Sequence, residues 1–145
     1  MALAEVSDTT CGYEVLVRLV LADEVLSALG RPQQTLIDAR AAARYRGAVE
    51  PLDPVAGHIP GALNRAFGDN IDAQGLFKPA EQLRREFTAL LGSRDPSSVV
   101  HHCGSGVSAV PNLIAMAVAG LGTTGLFAGS WSEWCADAAR PVARG

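Results

Sequence analysis

A short apolar run that ends in a cysteine and a glycine-rich loop constrains the fold more than any other segment. Residues 98–102 (SVVHH) have the composition of a buried strand, and residues 103–108 (CGSGVS) that of a tight polar loop. Residues 109–119 are apolar and of helical length. Two glycines let the loop adopt backbone angles that are costly for other residues. The pattern predicts a strand, a sharp turn and a helix, in that order.

The rest of the chain repeats this alternation. The pattern of apolar and polar residues predicts helices over 22–29, 39–46, 79–91 and 109–119. It predicts strands over 35–38, 62–64, 98–102 and 125–127. A loop is predicted over 48–61, which is rich in Pro, Gly and Asp. Alternating strands and helices are typical of an α/β fold with a central, mainly parallel sheet flanked by helices. Residues 1–20 show no clear period, so we expect an N-terminal leader or linker remnant there and the folded domain over 21–145.

Composition narrows the class of protein. A chain of 145 residues, 48% hydrophobic and 19% charged, has the size and make-up of one globular domain. Its net charge of −3 and scattered Lys and Arg exclude the basic surface of a nucleic-acid binder. Residues 107–126 carry no charge, but Pro111, Asn112 and several glycines favour a buried helix, turn and strand over a membrane span. We therefore expect neither nucleic acid nor a membrane as a partner.

The cysteines bear on location and on metal binding. Cys11, Cys103 and Cys135 are an odd number, which excludes a fully paired disulfide framework, and no CxxC motif is present. The N-terminus lacks the basic and apolar regions of a signal peptide. These features predict a cytoplasmic protein. His101 and His102 cannot join Cys103 around one zinc ion, because consecutive strand residues point to opposite faces.

The loop at Cys103 has the features that activate a thiol. Its backbone N–H groups can point at the sulfur, and the following helix adds the positive end of its dipole. Both effects favour the thiolate, which is the nucleophilic form of cysteine. The same cradle would stabilise a persulfide anion on that sulfur.

Four segments together resemble the tandem-domain sulfurtransferases of the rhodanese-like superfamily, which act on thiosulfate or 3-mercaptopyruvate. In chain order they are 36–40 (LIDAR), 57–62 (GHIPGA), 103–109 (CGSGVSA) and 129–134 (GSWSEW). They match the C-terminal, catalytic domain of those enzymes. The resemblance implies a single rhodanese-like domain, a small-molecule sulfur donor, a thiophilic acceptor, and no metal or organic cofactor.

The resemblance also implies roles for individual residues. Cys103 accepts the sulfur as a persulfide. Arg40 receives the anionic end of the donor, because a guanidinium matches planar oxyanions, and Arg46 is a second candidate. The loop residues that bind sulfur and donor are Gly104, Ser105, Gly106, Val107 and Ser108.

The loop at Cys103 also resembles that of one of the two classes of enzyme, which differ in the sulfur donor that they use. Thiosulfate-preferring members carry CRKGVT, with two cations for a dianion. Gly104 and Ser105 stand at those positions here, as in the CGSGVT loop of mercaptopyruvate enzymes. Lower positive charge favours a monocarboxylate donor, so 3-mercaptopyruvate is the expected substrate.

Two alternatives to a sulfurtransferase belong to other functional classes. A phosphatase of this fold needs His-Cys-x5-Arg, and Ala109 stands where that arginine is required. This makes phosphatase chemistry improbable. The second alternative is a non-catalytic binding or regulatory module, or half of a two-domain enzyme that is inactive alone. A homodimer or a missing N-terminal rhodanese-like domain would complete the cleft.

Overall fold

A six-stranded sheet organises the computed structural model, which describes residues 2–8, 13–105 and 107–145, with the backbone alone for residues 2–8 and 13–16. The strands are β1 (Ala2–Asp8), β2 (Tyr13–Leu19), β3 (Thr35–Asp38), β4 (Leu63–Asn64), β5 (Val99–His102) and β6 (Gly125–Leu126). Their order across the sheet is β1-β2-β6-β5-β3-β4. Only the β1–β2 pairing is antiparallel among the described strands. The predicted α/β fold with a mainly parallel sheet is confirmed.

Five α-helices connect or follow these strands in the described chain. They are α1 (Ala22–Ser27), α2 (Ala42–Tyr45), α3 (Ala80–Leu91), α4 (Val110–Val118) and α5 (Ser130–Ala136). The first four lie within the four helical ranges predicted from the sequence and are shorter than those ranges by between one residue (α3) and four residues (α2). Helix α5 was not predicted.

Helices pack on both faces of the sheet because the strand side chains alternate. Val100 of β5 belongs to a cluster with Val25 of α1 and with Trp131 and Trp134 of α5. Its neighbour Val99 belongs to the opposite cluster. That second cluster takes its helical members from α3 and α4: Leu83, Phe87, Leu91, Ala115 and Met116. The helices therefore flank a central sheet, as expected.

The N-terminal strands form a hairpin that extends the sheet. Strand β2 pairs in parallel with β6, placing Arg18 beside Gly125 and Leu19 beside Leu126. The Val20 N–H then donates to the Leu126 carbonyl at 2.9 Å. Residues 13–19 are thus hydrogen-bonded as part of the sheet. The proposed boundary at residue 20, between an N-terminal leader or linker and the folded domain, stays a prediction. Cys11 lies outside the described residues.

Parallel pairing brings the carboxyl ends of the central strands to one edge of the sheet. Asp38, the last residue of β3, lies beside His102, the last residue of β5. The Ala39 N–H donates to the His102 carbonyl at 2.8 Å, so the two chains leave the sheet together. Cys103 directly follows β5, and Arg40 follows β3 after one intervening residue, so both leave the same edge of the sheet.

No helix in the described ranges combines the length and the apolar character that crossing a bilayer requires.

Candidate active site

Cys103 directly follows β5 and is held from the side of α5. Its side chain is buried. The Cys103 N–H donates to Ser130 Oγ at 3.0 Å, and the Trp131 N–H donates to the Cys103 carbonyl at 2.9 Å. The Ser132 N–H donates in turn to the Gly104 carbonyl at 2.9 Å. Three consecutive residues of α5 therefore fix the backbone on both sides of the nucleophile candidate.

Ser130 adopts an unusual backbone conformation to make these contacts. Its φ is +56°, in the left-handed region, and it is the only non-glycine residue there in the described chain. Such a conformation costs of order 1–3 kcal/mol. The Ser130 hydroxyl donates to the Phe127 carbonyl at 3.0 Å and lies 4.0 Å from Cys103 Sγ. The strain is thus stored directly beside the cysteine, and no sequence feature predicts it.

A cavity of about 260 Å³ opens at the loop that follows Cys103. Gly104, Ser105 and Ser108, three of the predicted loop residues, line it. Its other lining residues are Arg40, Ala41, Arg44, Leu52, Asp53, Phe67 and Ser132. Val107 is exposed, and Gly106 lies outside the described residues. The space is large enough for a small organic acid.

A larger cavity of about 680 Å³ lies at the opposite end of β3. Thr35, Arg31 and Arg94 are among its lining residues, and none of the residues lining it is a cysteine or histidine. We therefore place the candidate active site at the smaller cavity.

Arg40 is buried in a network of fixed contacts. Its Nε lies 3.1 Å from both carboxylate oxygens of Asp38, and its Nη2 lies 2.7 Å from Asp38 Oδ2. Nη1 donates to Glu50 at 3.3 Å, and Nη2 also donates to the Gly57 carbonyl at 2.7 Å. The guanidinium carbon lies 4.9 Å from the centre of the Trp131 ring. All three guanidinium nitrogens therefore have protein partners, and the donor-binding role of Arg40 stays a prediction.

Arg44 is the cation that lies against the active-site loop. A Cβ added to Gly104 would lie 3.4 Å from both Nη1 and Nη2 of Arg44, so the guanidinium packs on the loop backbone. Arg44 was not among the residues predicted from the sequence, whereas the predicted Arg46 is exposed and does not line the cavity. In the structure Arg40 precedes α2, which begins at Ala42, and the two arginines are joined through their shared partner Glu50. Arg44 therefore lines the cavity together with Arg40, and a donor-binding role for Arg46 stays a prediction.

Two carboxylates from the following loop pair with Arg44. Its Nη2 lies 3.0 Å from Glu50 Oε2 and 3.4 Å from Asp53 Oδ2. Burial raises the pKa of Glu50, but the N–H groups of Leu52 and Asp53 and the Arg44 guanidinium outweigh it and hold that pKa below its ordinary value. Glu50 consequently stays ionised at neutral pH.

His58 ties down the long loop over 48–61. Its Nδ1 lies 2.7 Å from the Tyr45 carbonyl, and its ring stacks on Tyr45 at 3.9 Å. The Gly57 carbonyl beside it accepts from Arg40. The loop is thereby fixed to α2 and to the Arg40 network at once.

His101 and His102 are fully buried, and no polar side-chain partner within the described residues satisfies either ring. Burial, with a smaller effect of His102, lowers the pKa of His101 to about 3. Burial also lowers the pKa of His102. Both rings are therefore neutral at pH 7. Among the described residues, no group of His, Cys, Asp or Glu is arranged to hold a metal ion.

Comparisons with curated proteins point to one family. A family model described as "Rhodanese-like domain" matches residues 21–137. A probable 3-mercaptopyruvate sulfurtransferase of Pseudomonas aeruginosa is 53% identical over 127 residues, which are 88% of this chain and 45% of that protein. A putative thiosulfate sulfurtransferase SseB of Mycobacterium tuberculosis is 48% identical over 114 residues, 77% of this chain and 38% of its own length. The chain spans less than half the length of these curated relatives.

Solved structures share the fold. The Tum1 protein of Saccharomyces cerevisiae matches with a TM-score of 0.75 and 28% identity over 88% of this chain and 46% of its own. The anaerobic ergothioneine biosynthesis enzyme of Chlorobium limicola matches with a TM-score of 0.77 over 88% of this chain and 32% of its own. Its identity is 20%, so that likeness concerns the fold alone.

The buried His101 makes stability depend on pH. Because its folded-state pKa is about 3, the unfolded chain binds a proton below about pH 6.5 that the folded chain refuses. Stability therefore falls as the pH drops from 7 to 5, by about 2 kcal/mol for this residue alone. Urea unfolding at both pH values should show a smaller fall in a His101→Leu variant. An equal fall in variant and wild type would contradict this assignment.

Proposed function

Since the chain belongs to the rhodanese-like domain family, we propose that it transfers a sulfane sulfur from a small anionic donor to a thiophilic acceptor through a persulfide on Cys103. The observation that carries the proposal is the placement of Cys103. It directly follows a buried strand, its backbone is clamped by α5, and the cavity at the next residue is lined by two arginines and by hydroxyl groups. The names of the relatives support sulfur transfer as the reaction class.

The first half-reaction forms the persulfide. The Cys103 thiolate attacks the sulfur of 3-mercaptopyruvate, and an S–S bond forms as the C–S bond breaks. The electron pair of the broken bond stays on carbon as an enolate, which takes the thiol proton and leaves as pyruvate. With thiosulfate the S–S bond to the sulfonate breaks instead, and sulfite leaves with the bonding pair. In both cases the outer sulfur remains on Cys103 as an anion.

The second half-reaction regenerates the Cys103 thiolate. A thiophilic acceptor such as cyanide or a thiolate attacks the outer sulfur, and Cys103 leaves as a thiolate. With cyanide the product is thiocyanate. Backbone N–H groups of a tight loop can stabilise the sulfur anion in both states, because they form an anion-binding concavity. No proton needs to pass through His101 or His102, which are buried and neutral.

Donor binding falls to Arg44 in this proposal. Its guanidinium packs on Gly104, next to the nucleophile, whereas the nitrogens of Arg40 are occupied by Asp38, Glu50 and a backbone carbonyl. Arg40 then serves to position the loop, and Arg44 attracts the carboxylate or sulfonate of the donor. The hydroxyls of Ser105 and Ser108 supply further hydrogen bonds for a keto group. This assignment leaves Arg46 without a direct role.

The exposed rim of the cavity favours a cleft shared with a second domain. Leu52 and Phe67, which line the cavity, are 78% and 46% exposed, and Val107 of the adjoining loop is 75% exposed. The chain also spans less than half the length of its curated relatives. We propose that another rhodanese-like domain, or a second copy of this chain, covers this rim in the active enzyme. The same observation supports the alternative that this chain is half of a two-domain enzyme and is inactive alone. A cytoplasmic location stays a prediction.

Turnover with 3-mercaptopyruvate and cyanide tests the proposed function. We expect pyruvate and thiocyanate to appear in equal amounts, and Cys103→Ser to abolish both. Cys135→Ser is the matched control, and it should retain turnover. Burial, and then the carboxylate of Asp53, raise the pKa of the Cys135 thiol, which disfavours it as a nucleophile. Loss of turnover in Cys135→Ser, with turnover retained in Cys103→Ser, would refute the assignment.

A pair of arginine variants tests the donor site. Arg44→Gln should lower the second-order rate of persulfide formation about 10- to 100-fold, since it removes a hydrogen bond to a charged group. Arg46→Gln makes the same chemical change at an exposed position and should alter that rate less than about twofold. Stopped-flow or quenched single-turnover measurement of pyruvate release gives the rates. If Arg46→Gln were the slower variant, the sequence-based choice would be right and the assignment of Arg44 wrong.

A further inference from the structure

Asp53 lies where it can select between donors. Its side chain lines the cavity and is only 11% exposed. Oδ2 lies 3.4 Å from Arg44 Nη2, and Oδ1 accepts a hydrogen bond from Ser132 Oγ at 2.7 Å. The carboxylate is thus held at the mouth of the cavity by α5 on one side and by the substrate-facing arginine on the other.

The charged side chains around the cavity do not carry a net positive charge. Arg40 and Arg44 face three carboxylates, those of Asp38, Glu50 and Asp53. Asp38 is committed to Arg40, and Glu50 is shared by both arginines. Asp53 is therefore the carboxylate that gives the cluster an excess of negative over positive charge.

From this arrangement we propose that Asp53 is a specificity-determining residue that disfavours dianionic sulfur donors and so favours a monocarboxylate such as 3-mercaptopyruvate over thiosulfate. The inference rests on the proposed function, because it concerns the donor site of the same reaction. Its physical basis is that a dianion interacts with each fixed charge twice as strongly as a monoanion at the same distance. Partial burial of Arg44, Glu50 and Asp53 limits screening by salt.

A variant that removes only the charge of Asp53 tests this proposal. Asp53→Asn preserves the shape of the side chain and an oxygen for the Ser132 hydroxyl, and it leaves two guanidiniums facing two carboxylates. We expect the ratio of kcat/KM for thiosulfate to that for 3-mercaptopyruvate to rise about tenfold. Single-turnover release of sulfite and of pyruvate measures the two rates.

Two control variants separate the local charge from other effects. Glu81→Gln changes net charge equally on an exposed residue of α3 outside the cavity lining, and Ser132→Ala removes the hydrogen bond to Asp53 but keeps its charge. Neither should move the donor ratio by more than about twofold. A ratio that is unchanged in Asp53→Asn, or that moves as much in Glu81→Gln, would overturn the inference.

Binding to a Cys103→Ser background separates this inference from the proposed function. Dissociation constants of thiosulfate and pyruvate can be compared there, with and without Asp53→Asn, by NMR titration. If neither donor releases product from the wild type, the proposed function fails and the binding ratio decides the inference. A rise of about tenfold in relative thiosulfate affinity supports it, and an unchanged ratio refutes it.

Discussion

The ion pair between Asp38 and Arg40 is the contact on which the geometry of the site depends. Both side chains are almost completely buried, and the Asp38 carboxylate accepts from the backbone N–H, Nε and Nη2 of Arg40. Arg40 reaches onward to Glu50, to the Gly57 carbonyl and to the face of Trp131. One guanidinium therefore joins the end of β3, the long loop and α5. Removing either charge would leave the other buried without its partner, which costs several kcal/mol.

This network explains how an exposed loop can support precise chemistry. The loop over 48–61 carries Glu50 and Asp53 to the cavity, and its far end is pinned through Gly57 and His58. Helix α5 supplies the opposing wall, because Ser130 and Trp131 hydrogen-bond to the backbone of Cys103. The left-handed conformation of Ser130 is tolerated since several contacts determine it together. The strained Ser130 thus lies beside the sulfur, and the buried charges of Asp38 and Arg40 lie at the end of the neighbouring strand.

The sequence predicted the parts of this structure that depend on local pattern. Runs such as 35–38 and 98–102 were recognisable as buried strands, and the glycine-rich loop identified Cys103. The hairpin of β1 and β2 was missed although β2 (Tyr13–Leu19) carries Glu14 and Arg18 between apolar residues, an alternation typical of a strand. Helix α5 is short, and its first residue takes a conformation that sequence does not reveal. The arginines could be ranked only by three-dimensional placement, since Arg40, Arg44 and Arg46 carry the same group within seven residues.

The persulfide on Cys103 is the central claim, and the intact mass of the protein tests it most directly. The protein is incubated with 3-mercaptopyruvate, freed of donor by desalting, and measured by mass spectrometry before and after addition of cyanide. We expect a species ~32 Da heavier, corresponding to one added sulfur, that maps to the Cys103 peptide and disappears with cyanide. A folded protein with unchanged mass, or a sulfur located on Cys135, would contradict the claim.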